Sequence, residues 1–136
     1  MKENPYLENM VKTASPAKIV QLLYEKAIEH LNESEKLLEE GNYVQFSERV
    51  GKAQDIITEL NLSLDMEKGG EIAKNLRVLY TYMYRELVEA VLKKDKAKLL
   101  EVRGMLSDLL ETWKEAMKKA AAPKPEGQQG GLNLLG

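Results

Sequence analysis

Apolar residues along the chain recur at steps of three and four, and no stretch alternates apolar and polar with period two. That pattern predicts helices and no strands. The first helix is expected to open at Ser15, an N-cap residue, with Pro16 at the first helical position where its missing N–H costs nothing. Ile19, Leu23, Ala27, Leu31 and Leu38 form its apolar stripe, widened by Leu22 and Ile28, and Gly41 supplies the left-handed stop. The second helix follows from about Asn42. Its Phe46, Val50, Ala53, Ile57, Leu60 and Leu64 are spaced 4-3-4-3-4, the heptad-like spacing that keeps one seam facing partner helices. This pattern stops at Asp65, and the chain turns on Gly69 and Gly70. A third helix over about 71–93 carries Ile72, Leu76, Leu79, Met83, Leu87 and Ala90. Asp95 caps a fourth, with Leu99, Val102, Leu106, Leu109, Trp113 and Met117. Helices of roughly 22–27 residues span roughly 33–40 Å. Connections this short force antiparallel neighbours, so the predicted fold is all-α, an antiparallel up-down four-helix bundle.

Three segments follow from this reading. Residues 1–14 are polar with isolated apolar anchors and form an N-terminal capping segment, residues 15–120 form the bundle, and residues 121–136 form a flexible tail. The tail begins with Pro123-Lys124-Pro125-Glu126-Gly127, a composition incompatible with helix, and continues through Gly130-Gly131 to Leu132-Asn133-Leu134-Leu135. Those leucines are either incidental or a short apolar motif that docks in a groove of this or a neighbouring molecule.

Composition narrows the function. With 43% apolar and 31% charged residues, the chain is an ordinary globular protein with enough material for one core. A formal net charge of −2 gives no basic face for nucleic acid. The absence of cysteine excludes disulfides and thiolate chemistry and fits a reducing compartment. No secretory signal and no membrane-spanning run is present, so a soluble cytoplasmic protein without membrane insertion is expected.

Catalytic and metal chemistry find no support. A di-iron bundle needs Glu-x-x-His on two helices, yet the single histidine, His30, is preceded at that spacing by Ala27. His30 is expected on a partly solvated flank. The serines lack a histidine partner, and Gly69-Gly70 lacks the spacing and Lys-Ser/Thr of a phosphate loop. Neither an enzyme nor a cofactor is expected.

The apolar residues exceed what one seam requires. On the third helix Ala73, Tyr80, Tyr84, Leu87 and Val91 form a second stripe, and on the second helix Ile56 and Leu62 lie off the main seam. Either the core face is wide, or an exposed groove between helices receives an amphipathic partner. The side chains assigned to such a groove are Ile56, Leu60, Leu76, Tyr80, Met83, Tyr84 and Leu87. Tyr80 and Tyr84 are its main contacts, and Tyr82 is expected to face solvent.

An ordered set of short segments resembles a known family. Asn4-Pro5-Tyr6 with Asn9, Thr13-Ala14-Ser15-Pro16, and Leu22-Leu23-Tyr24-Glu25-Lys26-Ala27-Ile28 are similar to the N-terminal pattern of the FliS family of flagellar export chaperones. Ala53 to Leu60, the Ser63–Leu76 corner, Leu79 to Met83, and Leu109-Leu110-Glu111-Thr112-Trp113 continue it in one register. The resemblance implies a chaperone of the bacterial cytosol. It would bind the disordered C-terminal region of flagellin, prevent premature polymerisation and assist delivery to the flagellar export gate. It also implies that Tyr6, Leu7 and Met10 cover part of the groove until flagellin displaces them. The alternative from the residues themselves is a helical adaptor or structural bundle that self-associates through the same apolar face.

Overall fold

A computed structural model describes residues 15–121. The expected capping residues Tyr6, Leu7 and Met10, and the tail beyond residue 121, lie outside the described residues. Four helices account for nearly all of the rest: α1 (Pro16–Glu39), α2 (Tyr43–Leu62), α3 (Met66–Lys93) and α4 (Lys96–Ala121).

Local chemistry sets their limits. Ser15 Oγ accepts from the Lys18 amide at 3.2 Å, with Pro16 in the first turn. At the other end of α1 the Gly41 amide reaches Leu38 O (3.1 Å) and the Asn42 amide reaches Leu37 O (2.9 Å). This paired closure needs a left-handed residue, and Gly41 adopts it at φ +78°. Asp95 caps α4 through the amides of Ala97 and Lys98. The corner before α3 is more ordered than a simple loop. Asp65 Oδ1 accepts from the amides of Glu67 and Lys68, holding one helical turn. Gly70 then breaks the helix at φ 52°, ψ −130°, and the long part of α3 runs on from Glu71.

Cross-helix bonds show the bundle's order. Trp113 Nε1 donates to Ala17 O (2.8 Å) at one end of the α1–α4 pair, while Lys96 meets Glu39 (2.5 Å) at the other, so these helices are antiparallel. Arg77 to Asn61 (3.1 Å) and Gln54 to the Tyr84 carbonyl (3.3 Å) set the same relation for α2 and α3. Tyr82 to Glu101 (2.7 Å) and Lys98 to Glu86 (3.2 Å) do so for α3 and α4. Each helix packs against its two sequence neighbours around a ring closed by α1 and α4. The antiparallel up-down four-helix bundle expected from the sequence is the fold found.

The seam of α2 is buried as its spacing predicts, from Phe46 to Leu60, and Leu64 just beyond the helix is buried too. Helices α1 and α3 are rotated from expectation, whereas α4 differs mainly at Leu109 and Leu110. On α1 the buried line is Val20, Tyr24, Ala27, Leu31 and Ser34, leaving Ile19 and Leu23 half-buried. The expected stripe took successive steps of four, each of which drifts about 40° around a helix of 3.6 residues per turn; the true line mixes threes and fours. Ser34 qualifies for the core because its hydroxyl donates to its own helix at His30 O (2.8 Å). On α3, Ala73 and Tyr80 join Met83, Leu87 and Ala90 inside, whereas Ile72 is 58% exposed. On α4, Leu110 is buried and Leu109 only partly so.

Two buried polar features tie the core together. The hydroxyls of Tyr24 and Tyr80 meet at 2.5 Å, linking the diagonally opposed α1 and α3. Burial pushes both phenols above their ordinary pKa, so the pair stays protonated. Removing one hydroxyl strands the other in an apolar core. Tyr80→Phe and Tyr24→Phe should each cost about 1–3 kcal/mol, while the double variant should cost less than their sum. Urea unfolding of the four proteins of that cycle measures the coupling.

His30 is the second. It is buried between α1 and α2 and does not sit on a solvated flank. Its Nδ1 lies 3.3 Å from Arg49 Nη1. A guanidinium only donates, so Nδ1 must accept and the ring must be neutral. Burial, then the charges of Lys26 and Arg49, hold the imidazole pKa below its ordinary value. The unfolded chain therefore takes up a proton at higher pH than the folded one. Stability contributed by the neutral ring is complete above the unfolded value of about 6.5 and is lost as pH falls through the lowered folded value. The urea midpoint should drop from pH 7.5 toward pH 5, and His30→Gln should flatten that dependence. As the chain has one histidine, the comparison isolates it.

Candidate functional site

The large apolar side chains left exposed among the described residues all belong to two helices. Tyr43, Val44 and Leu62 lie on α2, and Ile72, Val78, Tyr82, Tyr84, Val88 and Leu92 lie on α3. Several are far from marginal: Leu62 is 76% exposed, Val44 75% and Leu92 70%. The α1–α4 seam is finished differently. There Arg103 bonds Glu35 (2.6 Å) and Asn32 (2.9 Å), and Lys96 bridges Glu35 and Glu39. The Arg103 hydrogen bond holds the Glu35 carboxyl below its usual range, and Glu39 holds the Lys96 ammonium above its own. One side of the bundle is thus closed by charge, while the large exposed apolar side chains lie on the other two helices.

The groove between α2 and α3 contains two open clefts. One, of about 180 Å³, lies between Ile57, Thr58, Asn61 and Leu62 on α2 and Tyr80, Thr81, Tyr84 and Arg85 on α3. The other, of about 380 Å³, is formed by Tyr43, Val44, Phe46, Ser47 and Glu48 with Val91 and Lys94. Between them the Gln54 amide reaches across to the Tyr84 carbonyl and pins the helices together. The Lys94 ammonium sits 4.8 Å from the centre of the Tyr43 ring, an exposed cation–π contact.

The structure redistributes the groove residues expected from sequence. Tyr84, 41% exposed, stands in the open groove. Leu60, Met83 and Leu87 are core residues with almost no accessible surface to offer a partner. Tyr80, only 2% exposed, forms the inner wall of the smaller cleft, with its hydroxyl committed to Tyr24. Leu76 is half-buried against the core. Ile56 is also half-buried and lies two helical turns from Arg49, which contacts His30, so it belongs to the α1 side of α2. Tyr82 is exposed, but it leans toward α4 and donates to Glu101, which pushes its pKa up to about 12.

Sequence reasoning passed over Tyr43, Val44, Val78, Val88 and Leu92. Their signal was present. Val78, Val88 and Leu92 fall on the side of α3 opposite Met83, where a solvated bundle helix would carry polar residues. Among the described residues no group of three or more His, Asp or Glu is placed to hold a metal ion, and no helix is long and apolar enough to cross a membrane.

An all-helical bundle with a one-sided apolar face agrees with what sequence comparison finds. The family described as "Flagellar protein FliS" matches residues 1–120. This chain belongs to the FliS family. A relative named flagellar secretion chaperone FliS, from Salmonella typhimurium, is 41% identical over 116 residues, covering 85% of this chain and 86% of the relative. One of the same name from Bacillus subtilis is 34% identical over 119 residues, covering 85% and 88%. A third, from Vibrio cholerae, is 39% identical over 107 residues, 79% of each. The FliS family is one of flagellar secretion chaperones and not of enzymes.

Proposed function

We propose that this protein is a cytosolic flagellar secretion chaperone whose α2–α3 face binds the disordered C-terminal region of flagellin, prevents its premature polymerisation and assists its delivery to the export gate. The observation that carries the reading is the confinement of the large exposed apolar side chains among the described residues to α2 and α3. Open clefts of about 180 and 380 Å³ suit single anchoring side chains from a partner laid along the groove. A disordered segment that orders on binding typically buries on the order of 1,000–3,000 Å² and loses about 2–5 kcal/mol to ordering. Spread contacts along two helices meet that requirement better than one deep pocket.

Tyr6, Leu7 and Met10 are proposed to cover this face in the free protein, which lowers apparent affinity in proportion to the closed fraction. The test is an NMR titration with a flagellin C-terminal peptide. Amide shifts should concentrate on α2 and α3, and no shift at high micromolar peptide overturns the proposal. The rival reading, a bundle that self-associates through the same face, predicts a concentration-dependent dimer in light scattering that flagellin peptide leaves unchanged.

A further inference from the structure

We propose that the smaller cleft of the α2–α3 groove is also a docking site for this chain's own Leu132–Leu135 segment, so that the molecule carries an internal occupant for part of its apolar face. This goes beyond the reading above, and its test uses no flagellin.

Three observations converge on this cleft. Its inner wall is apolar, made by Ile57 and Tyr80, and Leu62 and Tyr84 at its mouth are left exposed. Its rim is polar without being acidic, with Thr58, Asn61, Thr81 and Arg85. The segment 132–135 has a matching character: three leucines, one asparagine and no charge. In an extended conformation Leu132 and Leu134 project to the same side, as two apolar anchors, with the Asn133 amide turned away from them.

Reach then selects between the two clefts. Tyr82, which faces α4 at the same height along α3 as the cleft residues Tyr80, Thr81 and Tyr84, is level with Glu101. From Glu101 to Ala121 is about 30 Å of helix at about 1.5 Å per residue. Residues 122–131, fully extended, span about 33–36 Å, and Pro123 and Pro125 favour extended backbone. The smaller cleft lies within that span. The larger one, at Val91 and Lys94, is a further ~14 Å or more along α3, beyond it.

The absence of native cysteine makes a clean test available. An Asn133→Cys protein carrying a nitroxide should broaden the amides of Thr58–Leu62 and Thr81–Arg85 and leave those of Tyr43–Ser47 sharp. Adding Leu132→Ser, Leu134→Ser and Leu135→Ser to the labelled protein should restore the broadened signals. Absence of broadening, or broadening that survives the serine substitutions, overturns the proposal. So does broadening of isotope-labelled, nitroxide-free protein mixed with unlabelled nitroxide-bearing copies, which would place the segment on a second molecule.

Discussion

Tyr84→Glu is expected to weaken binding of a flagellin C-terminal peptide by about tenfold or more, with little change in thermal stability. The side chain is 41% exposed, lines the smaller cleft and takes no part in the buried core. Truncating or charging a central aromatic anchor of an interface commonly costs more than about 1–2 kcal/mol, which is roughly a factor of ten. Substitution of an exposed side chain usually changes stability by less than about 0.5 kcal/mol. Leu62→Asp, on the opposite lip of the same cleft, should act in the same direction. Isothermal calorimetry paired with thermal melts separates the two quantities. Binding retained within about twofold in both variants would remove this cleft from the docking surface.

Leu87→Ala should show the opposite profile. Leu87 is fully buried within the core, among residues from all four helices. Truncating such a leucine removes its transfer free energy and leaves a cavity, a combined cost of about 2–5 kcal/mol. Against a typical total of about 5–15 kcal/mol, that is a large part of the fold's margin. Urea unfolding should therefore show a much lower midpoint, while the molecules that remain folded bind peptide with nearly unchanged affinity. If Leu87 contacts flagellin directly, the folded fraction should instead lose affinity in proportion to the lost side chain. The pair of variants thus distinguishes residues that build the face from residues that form it.

The seven residues first assigned to the groove show why sequence alone blurs that distinction. A leucine or tyrosine at the margin of an apolar stripe has the same sequence signature whether it closes the core or stands beside it. On α3 the margin residue Tyr80 turned inward because a second tyrosine, Tyr24 on α1, meets its hydroxyl across the bundle. Those two positions are separated by more than fifty residues, and no local pattern announces the pairing. Tyr84, one turn along, meets no such partner among the described residues and stays in the groove. His30 was misplaced for a similar reason. A polar residue is assigned to the surface by default, and its burial depends on α2 presenting Arg49 at the right height.

The sequence by itself determined that this is a four-helix bundle, where its helices start and stop apart from the Asp65-capped turn ahead of Gly70, and which side of α2 is buried. Those features follow from nearest neighbours along the chain: Ser15 and Asp95 as caps, Gly41 and Gly70 as breaks, and an apolar repeat of alternating fours and threes. The family resemblance was legible too, because it rests on residue order. Only the tertiary structure decided the rotation of α1 and α3 and the burial of Tyr80 and His30. It also decided that the apolar surplus is presented on α2 and α3 while α1 and α4 close their seam with ions. Rotation of a helix about its axis changes no local hydrogen bond. It is settled by what the neighbouring helices bring to the shared core.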